Sequence, residues 1–303
     1  MVVEYDKTIC EITTSQGKGA ENITLDPTKA KHFAKIEIRK DKDYKLADEL
    51  KIKVIADIER AQTIKVLCDG KDAGFLKLYT NKKKKLNIVC VSVKTSSGTG
   101  NIKGKTELEN TLKQSLIKVN IVDEFLDTTI NSDITPNNDL QLPTIKDGGE
   151  INISGNIRGK SLYDYIDEKL KNEFPNLGSD GKSDGTGKYD MYLRIYFFKE
   201  KAYLQNGNSR LPVGGIGTPI GNGRCSIFDG IETIDVAHET LHAIALGHSF
   251  GKQDNISTIT PYLFEYQKTE NMMDYAHLAG KEKYSIWKWQ WDKLRNFNLL
   301  EDE

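Results

Sequence analysis

Cysteine is scarce in this sequence. The chain of 303 residues contains four cysteines, and no two of them form a Cys-x-x-Cys pair. Zinc sites built on cysteine, redox motifs and a dense disulfide framework are therefore excluded. One bridge, between Cys68 and Cys90 on neighbouring strand-like runs, stays open at this stage; the other two cysteines are Cys10 and Cys225.

Long apolar runs and an excess of charge are absent as well. No run of about 18 apolar residues occurs, which excludes a membrane-spanning helix. Lysine and arginine total 43 against 44 for aspartate and glutamate, so nucleic acid is not an expected partner. Residues 1–6 lack the basic and apolar segments of a signal peptide. We therefore expect no signal peptide in this chain, either because a signal peptide has been removed or because export uses another route.

The two parts of the chain differ in charge and in pattern. Residues 1–100 hold 20 basic and 14 acidic residues, whereas the remainder holds 23 and 30. Short runs typical of β-strands occur in the first part and are separated by Gly, Asn, Asp and Lys; they lie at 33–39, 51–58, 63–68, 75–79 and 86–93. This pattern predicts an all-β sandwich at 1–97 that resembles the immunoglobulin-like fold.

The end of this first domain is marked by a segment rich in Gly and Ser. We predict a linker at 98–104 and a second domain at 105–303. The run 86–93 is apolar on both alternating faces, which predicts a strand buried on both sides. The lysines at 82–85 just before it predict a solvated hairpin turn.

Helical and strand-like patterns mix in the second domain, which predicts an α+β fold. Leu108, Leu112 and Leu116 follow helical spacing, and a second amphipathic helix is predicted at 161–174, ended by Pro175. Strands are predicted at 117–122 and 191–198. The segment 178–187 contains Asp180 and Asp184 but lacks the closing glutamate of an EF-hand. We favour a surface loop there and keep Ca²⁺ binding as the alternative.

Three histidines fall close together in the second domain. His238 and His242 are four residues apart, so on a helix both imidazoles project from one face and can hold one Zn²⁺. Glu239 follows the first histidine, where its carboxylate can reach a water on the metal without being a ligand. His248 lies six residues after His242 and is the candidate third ligand.

These residues resemble the motif of the metzincin clan of zinc metallopeptidases, His-Glu-x-x-His-x-x-Gly-x-x-His. The stretch Asn271-Met272-Met273-Asp274-Tyr275 resembles the clan's Met-turn, with Met273 as the methionine beneath the metal. The resemblance covers roughly residues 105–303. It implies a mixed twisted sheet, an active-site helix and a C-terminal helix near 281–297. It also implies that Tyr275 approaches the metal.

One position departs from the clan's motif. Ala245 stands where the clan has a glycine that lets the chain leave the helix. A continuous helix would rotate His248 away from His238, so we expect the helix to break at Gly247 through a left-handed conformation. The alternative third ligand is Glu270, which lies four residues before Asp274.

The resemblance implies a zinc-dependent endopeptidase acting on a protein or peptide substrate. Glu239 would be the general base and Tyr275 a donor to the developing oxyanion. The segment 209–227 would be the edge against which the peptide lies. Two alternatives stay open: a hydrolase of peptidoglycan or other amides with the same zinc site, and a non-enzymatic binding or adhesion protein with a vestigial site.

The composition adds an expectation about location. A chain rich in Lys, Asn and Ile with an appended sandwich is typical of a secreted bacterial toxin or effector, so we expect a secreted or extracellular protein. The N-terminal domain would then bind a delivery or target protein, or hold the enzyme inactive. A cysteine switch through Cys10 is a further alternative.

Overall fold

The chain divides into two structural units, Met1–Lys82 and Lys83–Glu303. The computed structural model describes residues 2–6, 10–14, 20–25, 33–38, 50–54, 58, 61–68, 71–95, 97–128, 150–153, 156–157, 160–217, 219–250 and 264–303. No helix within these ranges is long and apolar enough to cross a membrane.

The first unit consists of antiparallel strands in its described residues. Its strands are β1 (Val2–Asp6), β2 (Cys10–Thr14), β3 (Ala20–Leu25), β4 (Phe33–Ile38), β5 (Leu50–Val54), β6 (Gln62–Cys68) and β7 (Lys71–Leu78). Five of them form a sheet in the order β3-β4-β1-β6-β7, and β2 pairs with β5. The β-rich character is as predicted, and the immunoglobulin-like fold stays a prediction.

The second unit mixes helices and strands, which confirms the α+β class. Its strands are β8 (Lys84–Thr95), β9 (Gly98–Thr99), β10 (Ile117–Asp127), β11 (Glu150–Asn152), β12 (Asn156–Ile157), β13 (Lys160–Ser161), β14 (Pro175–Leu177), β15 (Ser183–Gly187), β16 (Leu193–Phe197), β17 (Lys201–Asn206), β18 (Ser209–Val213), β19 (Gly215–Ile216), β20 (Arg224–Ile227) and β21 (Leu300–Asp302). Its helices are α1 (Lys105–Lys113), α2 (Leu162–Glu173), α3 (Thr233–Ile244) and α4 (Lys288–Leu294), with a 3₁₀ turn at Ala276–Ala279.

The main sheet of this unit has the order β10-β8-β16-β20-β19. The first four strands are parallel, and β19 joins the edge antiparallel to β20. β8 is apolar and buried on both faces because helices cover both. One face packs with α1 and α3 through residues such as Ile88 and Leu241, and the other packs with α2 through residues such as Val91 and Ile166.

The domain boundary differs from the predicted one. β8 was correctly predicted as a strand buried on both sides, but it belongs to the second unit, so the break lies at Lys82 and not at 97. The segment 98–104 is not a linker, because β9 pairs with β8 and Gly100 is buried against the backbone of Phe197. A strand apolar on both faces suits the centre of a sheet covered by helices better than the edge of a sandwich.

The lysines at 82–85 do not form a hairpin turn. β7 and β8 lie in different sheets, and Lys84 is the first residue of β8. Lys84 forms an ion pair of 2.5 Å with Asp302 of β21, which pairs antiparallel with the start of β8. Lys84 therefore links the first and last strands of the main sheet's chain segment, 84–302, by a partly exposed ion pair.

The cysteine bridge is also ruled out. Cys90 and Cys225 are buried free thiols, so Cys90 forms no disulfide with Cys68. The side chains of Cys10 and Cys68 lie outside the described residues, and so does the expected switch through Cys10.

The helix predicted at 161–174 is close to the structure, whereas α1 ends at Lys113, before Leu116. α2 begins after Ser161, whose hydroxyl accepts a hydrogen bond from the Asp164 N–H at 3.2 Å, and it ends just before Pro175. The C-terminal helix is shorter than the predicted 281–297. The segment 178–187, predicted as a surface loop, consists of the turn of the β14–β15 hairpin and the strand β15, so the prediction holds only for its first half. Asp180 and Asp184 accept hydrogen bonds from nearby backbone N–H groups.

Candidate metal centre

Helix α3 carries two of the candidate ligands into the interior. His238 and His242 are 1% and 6% exposed, which is far below the usual exposure of a histidine. Apolar residues of the same helix, including Val236, Leu241 and Ile244, anchor it in the core of the second unit. The two imidazoles therefore project from a rigid element, as their spacing predicted.

The chain leaves this helix earlier than expected. α3 ends at Ile244, and the N–H groups of Ala245 and Leu246 both donate to the Leu241 carbonyl. Ala245 has φ −172°, which lies outside the left-handed region that favours glycine. Gly247 is not among the residues with positive φ, so the predicted left-handed break at Gly247 is wrong. An alanine therefore suffices where the clan has glycine.

The early break brings the third histidine back to the other two. His248 Nε2 lies 3.3 Å from His238 Nε2 and 3.2 Å from His242 Nε2. Within the described ranges these three side chains form the one cluster with metal-ligating potential. The alternative ligand Glu270 is exposed and lies outside this cluster, and its carbonyl accepts hydrogen bonds from Tyr284 and Ser285.

The hydrogen bonds of the imidazoles define their tautomers. His238 Nδ1 donates to the Met272 carbonyl at 2.8 Å, and His242 Nδ1 donates to the Leu246 carbonyl at 2.6 Å. A carbonyl oxygen can only accept, so both Nδ1 atoms carry the proton and both Nε2 atoms present lone pairs to the centre. Converging lone pairs repel one another without a cation, so this donor set fits a metal ion.

The protonation states agree with that tautomer assignment. Burial lowers the pKa of His242 to about 3 and lowers the pKa of His238 well below its usual value, and the neighbouring imidazoles add to both effects. Both side chains are therefore neutral near pH 7. Neutral imidazole is the form that binds a metal.

The turn at 271–275 supports two of the three histidines through consecutive carbonyls. The Met272 carbonyl accepts the hydrogen bond from His238 Nδ1. The Met273 carbonyl accepts a hydrogen bond of 3.0 Å from the N–H of Ser249, the residue after His248. The turn is closed by a bond from the Asp274 N–H to the Asn271 carbonyl. Met273 is fully buried in the core that includes α3.

Two buried polar groups that stabilise this turn were not found from the sequence. The Asp274 carboxylate accepts hydrogen bonds from the N–H groups of Gln267, Thr269 and Tyr275. The Asn271 and Gln290 side-chain amides bond each other reciprocally at 2.8 and 3.0 Å, which joins the turn to α4. Asp274 belongs to the motif that was recognised in the sequence, but no local pattern predicted its hydrogen-bond partners.

Aromatic rings cover the side of the centre next to His248. Tyr275 lies with its ring centroid 4.8 Å from that of His248 and 5.4 Å from that of His238, as the resemblance implied. Phe250 stacks on His248 at 4.9 Å with an interplanar angle of 20°, and Tyr266 contacts Phe250. The stacking of Phe250 limits the rotation of the third imidazole, a role that the sequence did not indicate.

Glu239 lies against a glycine-rich strand. A Cβ on Gly215 would approach Glu239 Cγ to 2.5 Å, and a Cβ on Gly217 would approach His242 Cβ to 2.8 Å, so only glycine allows this contact. Burial and the charge of Asp235 raise the pKa of Glu239 to about 8, against the opposing effects of Lys283 and the nearby Gly217 backbone.

The three-histidine cluster opens into a cleft of about 630 Å³. The three histidines, Glu239 and Tyr275 form its floor, and residues 212–217 form one wall. This wall is the first part of the predicted segment 209–227. His277 and Leu278 line the cleft as well, and neither was predicted as a site residue.

A buried ion pair secures the helix next to this cleft. Lys283 Nζ lies 2.5 Å from Asp235 Oδ1, and the Lys283 side chain is 0% exposed. We expect Lys283→Met to lower the free energy of unfolding by about 3–5 kcal/mol, because it leaves a largely buried carboxylate without its partner. Urea unfolding followed by circular dichroism measures this loss.

The matched control is an exposed pair of the same residue types. Lys288 and Asp292 form an i,i+4 pair of 2.6 Å whose side chains are 39% and 66% exposed. We expect Lys288→Met to change the free energy of unfolding by at most about 1 kcal/mol. Equal losses in the two variants would contradict a special role for the buried pair.

Comparisons with known proteins add little to this geometry. No protein-family profile matches the chain, and no characterised protein matches it in sequence. Among solved structures, the chain is similar to the archaemetzincin of Methanopyrus kandleri, with 13% sequence identity and a TM-score of 0.36. The match covers 70% of this chain and 94% of that chain.

Proposed function

We propose that the second unit is a zinc-dependent endopeptidase of the metzincin type. The observation that carries this proposal is the convergence of three imidazole Nε2 atoms, with the first two tautomers set by carbonyls. His238, His242 and His248 would hold the ion. Three protein ligands are typical of catalytic zinc sites, whereas structural sites use four.

A zinc ion bound there would supply Lewis acidity and would lower the pKa of a water to near neutrality. Glu239 follows the first ligand and lies at the floor of the same cleft. Burial raises the pKa of Glu239 to about 8, which makes it a stronger base than an exposed glutamate. The positive charge of the ion would lower that pKa and keep the carboxylate ionised near pH 7. The Glu239 carboxylate would take the proton of the attacking water and deliver it to the leaving amine.

The edge strand β19 supports an extended peptide as the substrate. Phe228 N–H donates to the Gly214 carbonyl at 2.9 Å, and Ile216 faces Ser226 in the antiparallel register. Alternation along the ladder therefore directs the N–H and carbonyl of Gly215 away from β20 and toward the cleft. A peptide lying there could pair with these groups as an added strand.

Tyr275 would act on the developing negative charge. Its ring lies beside His238 and His248 and lines the cleft. A phenol in this place can donate a hydrogen bond to the oxyanion that forms when the carbonyl is attacked. This role follows from the resemblance and from the position of the ring.

We propose for the first unit an immunoglobulin-like domain that binds a delivery or target protein, in a protein that is secreted. The antiparallel pairing of its strands supports the fold, and composition alone supports the location.

The test is zinc-dependent cleavage of peptide bonds. We expect one zinc per chain by elemental analysis, and cleavage of a mixed proteome that 1,10-phenanthroline stops and added zinc restores. Mass spectrometry of the new termini identifies the bonds. Release of peptidoglycan fragments without protein cleavage would favour the amide-hydrolase alternative, and zinc binding without any hydrolysis would favour a binding protein.

A further inference from the structure

Strands β6 and β7 of the first unit present an exposed face on which an aromatic side chain lies among lysines. Lys65 is opposite Phe75 in the antiparallel register. Thr63 and Lys77 form the next pair on the same side of the two strands. Phe75 is 74% exposed, and both lysines are exposed as well. Ile64 points to the opposite side and is buried, so the side that carries Phe75 is the outer face of this strand pair.

Tyr79 continues this face beyond the end of β7. It follows Lys77 by two residues and is 46% exposed, and its ring centroid lies 5.3 Å from Lys77 Nζ. We call Lys65, Phe75, Lys77 and Tyr79 the basic aromatic face. The segments 63–65 and 75–79 contain no acidic residue. The register shifts between Val66 and Leu67, so the alternation that defines the face ends before Asp72.

The exposed rings of this face are grouped and lie at an edge. Single exposed apolar side chains are ordinary on protein surfaces, but Phe75, Leu76 and Tyr79 are all exposed within five positions. β7 is the end strand of the five-stranded sheet in the part of the chain that the structure describes. The two rings therefore project near a rim, where a broad surface can contact both of them and the lysines together.

We propose that the basic aromatic face docks on a membrane surface that contains anionic phospholipids. Phenylalanine on an amphipathic surface enters the boundary between headgroups and acyl chains, and tyrosine is favoured at the headgroup level. The ammonium groups of Lys65 and Lys77 are attracted by negative headgroups, while their methylene stems cover apolar surface. Charge complementarity thus selects anionic lipid. The docking does not depend on the proposed hydrolysis by the second unit.

Other classes of partner match this face less well. The centre of a protein interface is depleted of lysine and enriched in arginine, whereas the charges that flank Phe75 are both lysines. Single-stranded nucleic acid is bound by a positively charged groove with a series of stacking rings. Here the face is the outer side of a strand pair and has two rings.

Cosedimentation of the full chain with vesicles tests the docking. We expect binding to vesicles of equimolar phosphatidylserine and phosphatidylcholine, and little binding to vesicles of phosphatidylcholine alone. Raising the salt concentration should weaken binding, because the screening length falls from about 10 Å at 0.1 M to about 3 Å at 1 M.

Substitutions on the face assign the binding to it. Lys65→Gln and Lys77→Gln should each raise the Kd for the anionic vesicles about 5-fold, the effect of one lysine near such a surface. Phe75→Ser should raise the Kd about 10-fold, because the ring no longer leaves water. Leu177→Ser and Lys182→Gln alter comparably exposed side chains of the second unit, and these controls should leave the Kd unchanged. The melting temperature of each variant checks that its fold is retained.

The variant Phe75→Trp measures insertion directly and remains informative if Phe75→Ser does not fold. The native tryptophans are all in the second unit, at 287, 289 and 291, so the difference from the wild-type spectrum isolates position 75. On anionic vesicles the emission of the introduced indole should shift to shorter wavelength. Brominated phosphatidylcholine in the same vesicles should quench it.

The outcomes separate the proposal from its rivals. Weaker vesicle binding in the three face variants, with both controls unchanged, supports the docking. Absence of binding to the anionic vesicles, equal binding to phosphatidylcholine alone, or an unchanged Kd in all three face variants would overturn it. Binding of a single-stranded oligonucleotide without any binding of vesicles would also overturn it, in favour of nucleic acid.

Discussion

Glu239→Gln is expected to abolish nearly all hydrolysis while zinc content and fold are retained. The amide has nearly the shape of the carboxylate, so it should keep the close packing of Glu239 against Gly215. It cannot take a proton, and general-base catalysis typically contributes about 10²–10⁴-fold. The loss should therefore appear in kcat, measured on a peptide found by substrate profiling, with zinc determined in the same sample.

The matched control for this variant is Glu270→Gln. Glu270 is exposed, and its side chain lies outside the histidine cluster, so we expect unchanged zinc and unchanged activity. A zinc-loaded Glu239→Gln protein that cleaves as fast as the wild type would refute the proposed mechanism. A loss of zinc in Glu270→Gln would instead support the alternative in which Glu270 is the third metal ligand.

His248→Ala is expected to lose zinc under conditions where the wild type retains it. Changes in groups that merely orient a ligand typically lower metal affinity about 10–100-fold, so removal of a ligand should exceed that range. Competition with a chromogenic chelator measures the affinity. Added zinc should also raise the melting temperature of the wild type more than that of the variant, because binding to the folded chain alone stabilises it.

His277→Ala is the matched control for the zinc measurement. His277 lines the cleft but is not a member of the three-histidine cluster, so its loss should leave zinc affinity unchanged. Undiminished zinc in His248→Ala would contradict the three-histidine site.

The local parts of the site could be predicted from the sequence. The spacing of His238 and His242 specifies one helix face, and the double-faced apolar run specifies a buried strand, because both patterns depend on neighbours a few residues away. The return of His248 was predicted correctly, but its cause was not. The chain leaves the helix at Ala245, whose φ of −172° needs no glycine.

The features that could not be predicted depend on distant partners. β8 was assigned to the wrong unit because its partners β10, β16 and β21 lie later in the chain. The reciprocal amides of Asn271 and Gln290 and the stacking of Phe250 on His248 likewise need the folded arrangement. Nothing in the local pattern of these residues distinguishes them from ordinary polar or core positions.

The pairing of β8 with β21 has a consequence for how the second unit is made. The ion pair between Lys84 and Asp302 spans 218 residues of chain, and β8 is an interior strand of the main sheet. Contacts of such long sequence separation slow folding, because the loops between them must close first. On the ribosome, β8 would therefore remain without its last partner strand until residue 302 has emerged. The exposed apolar faces of β8 would need protection by chaperones during that interval.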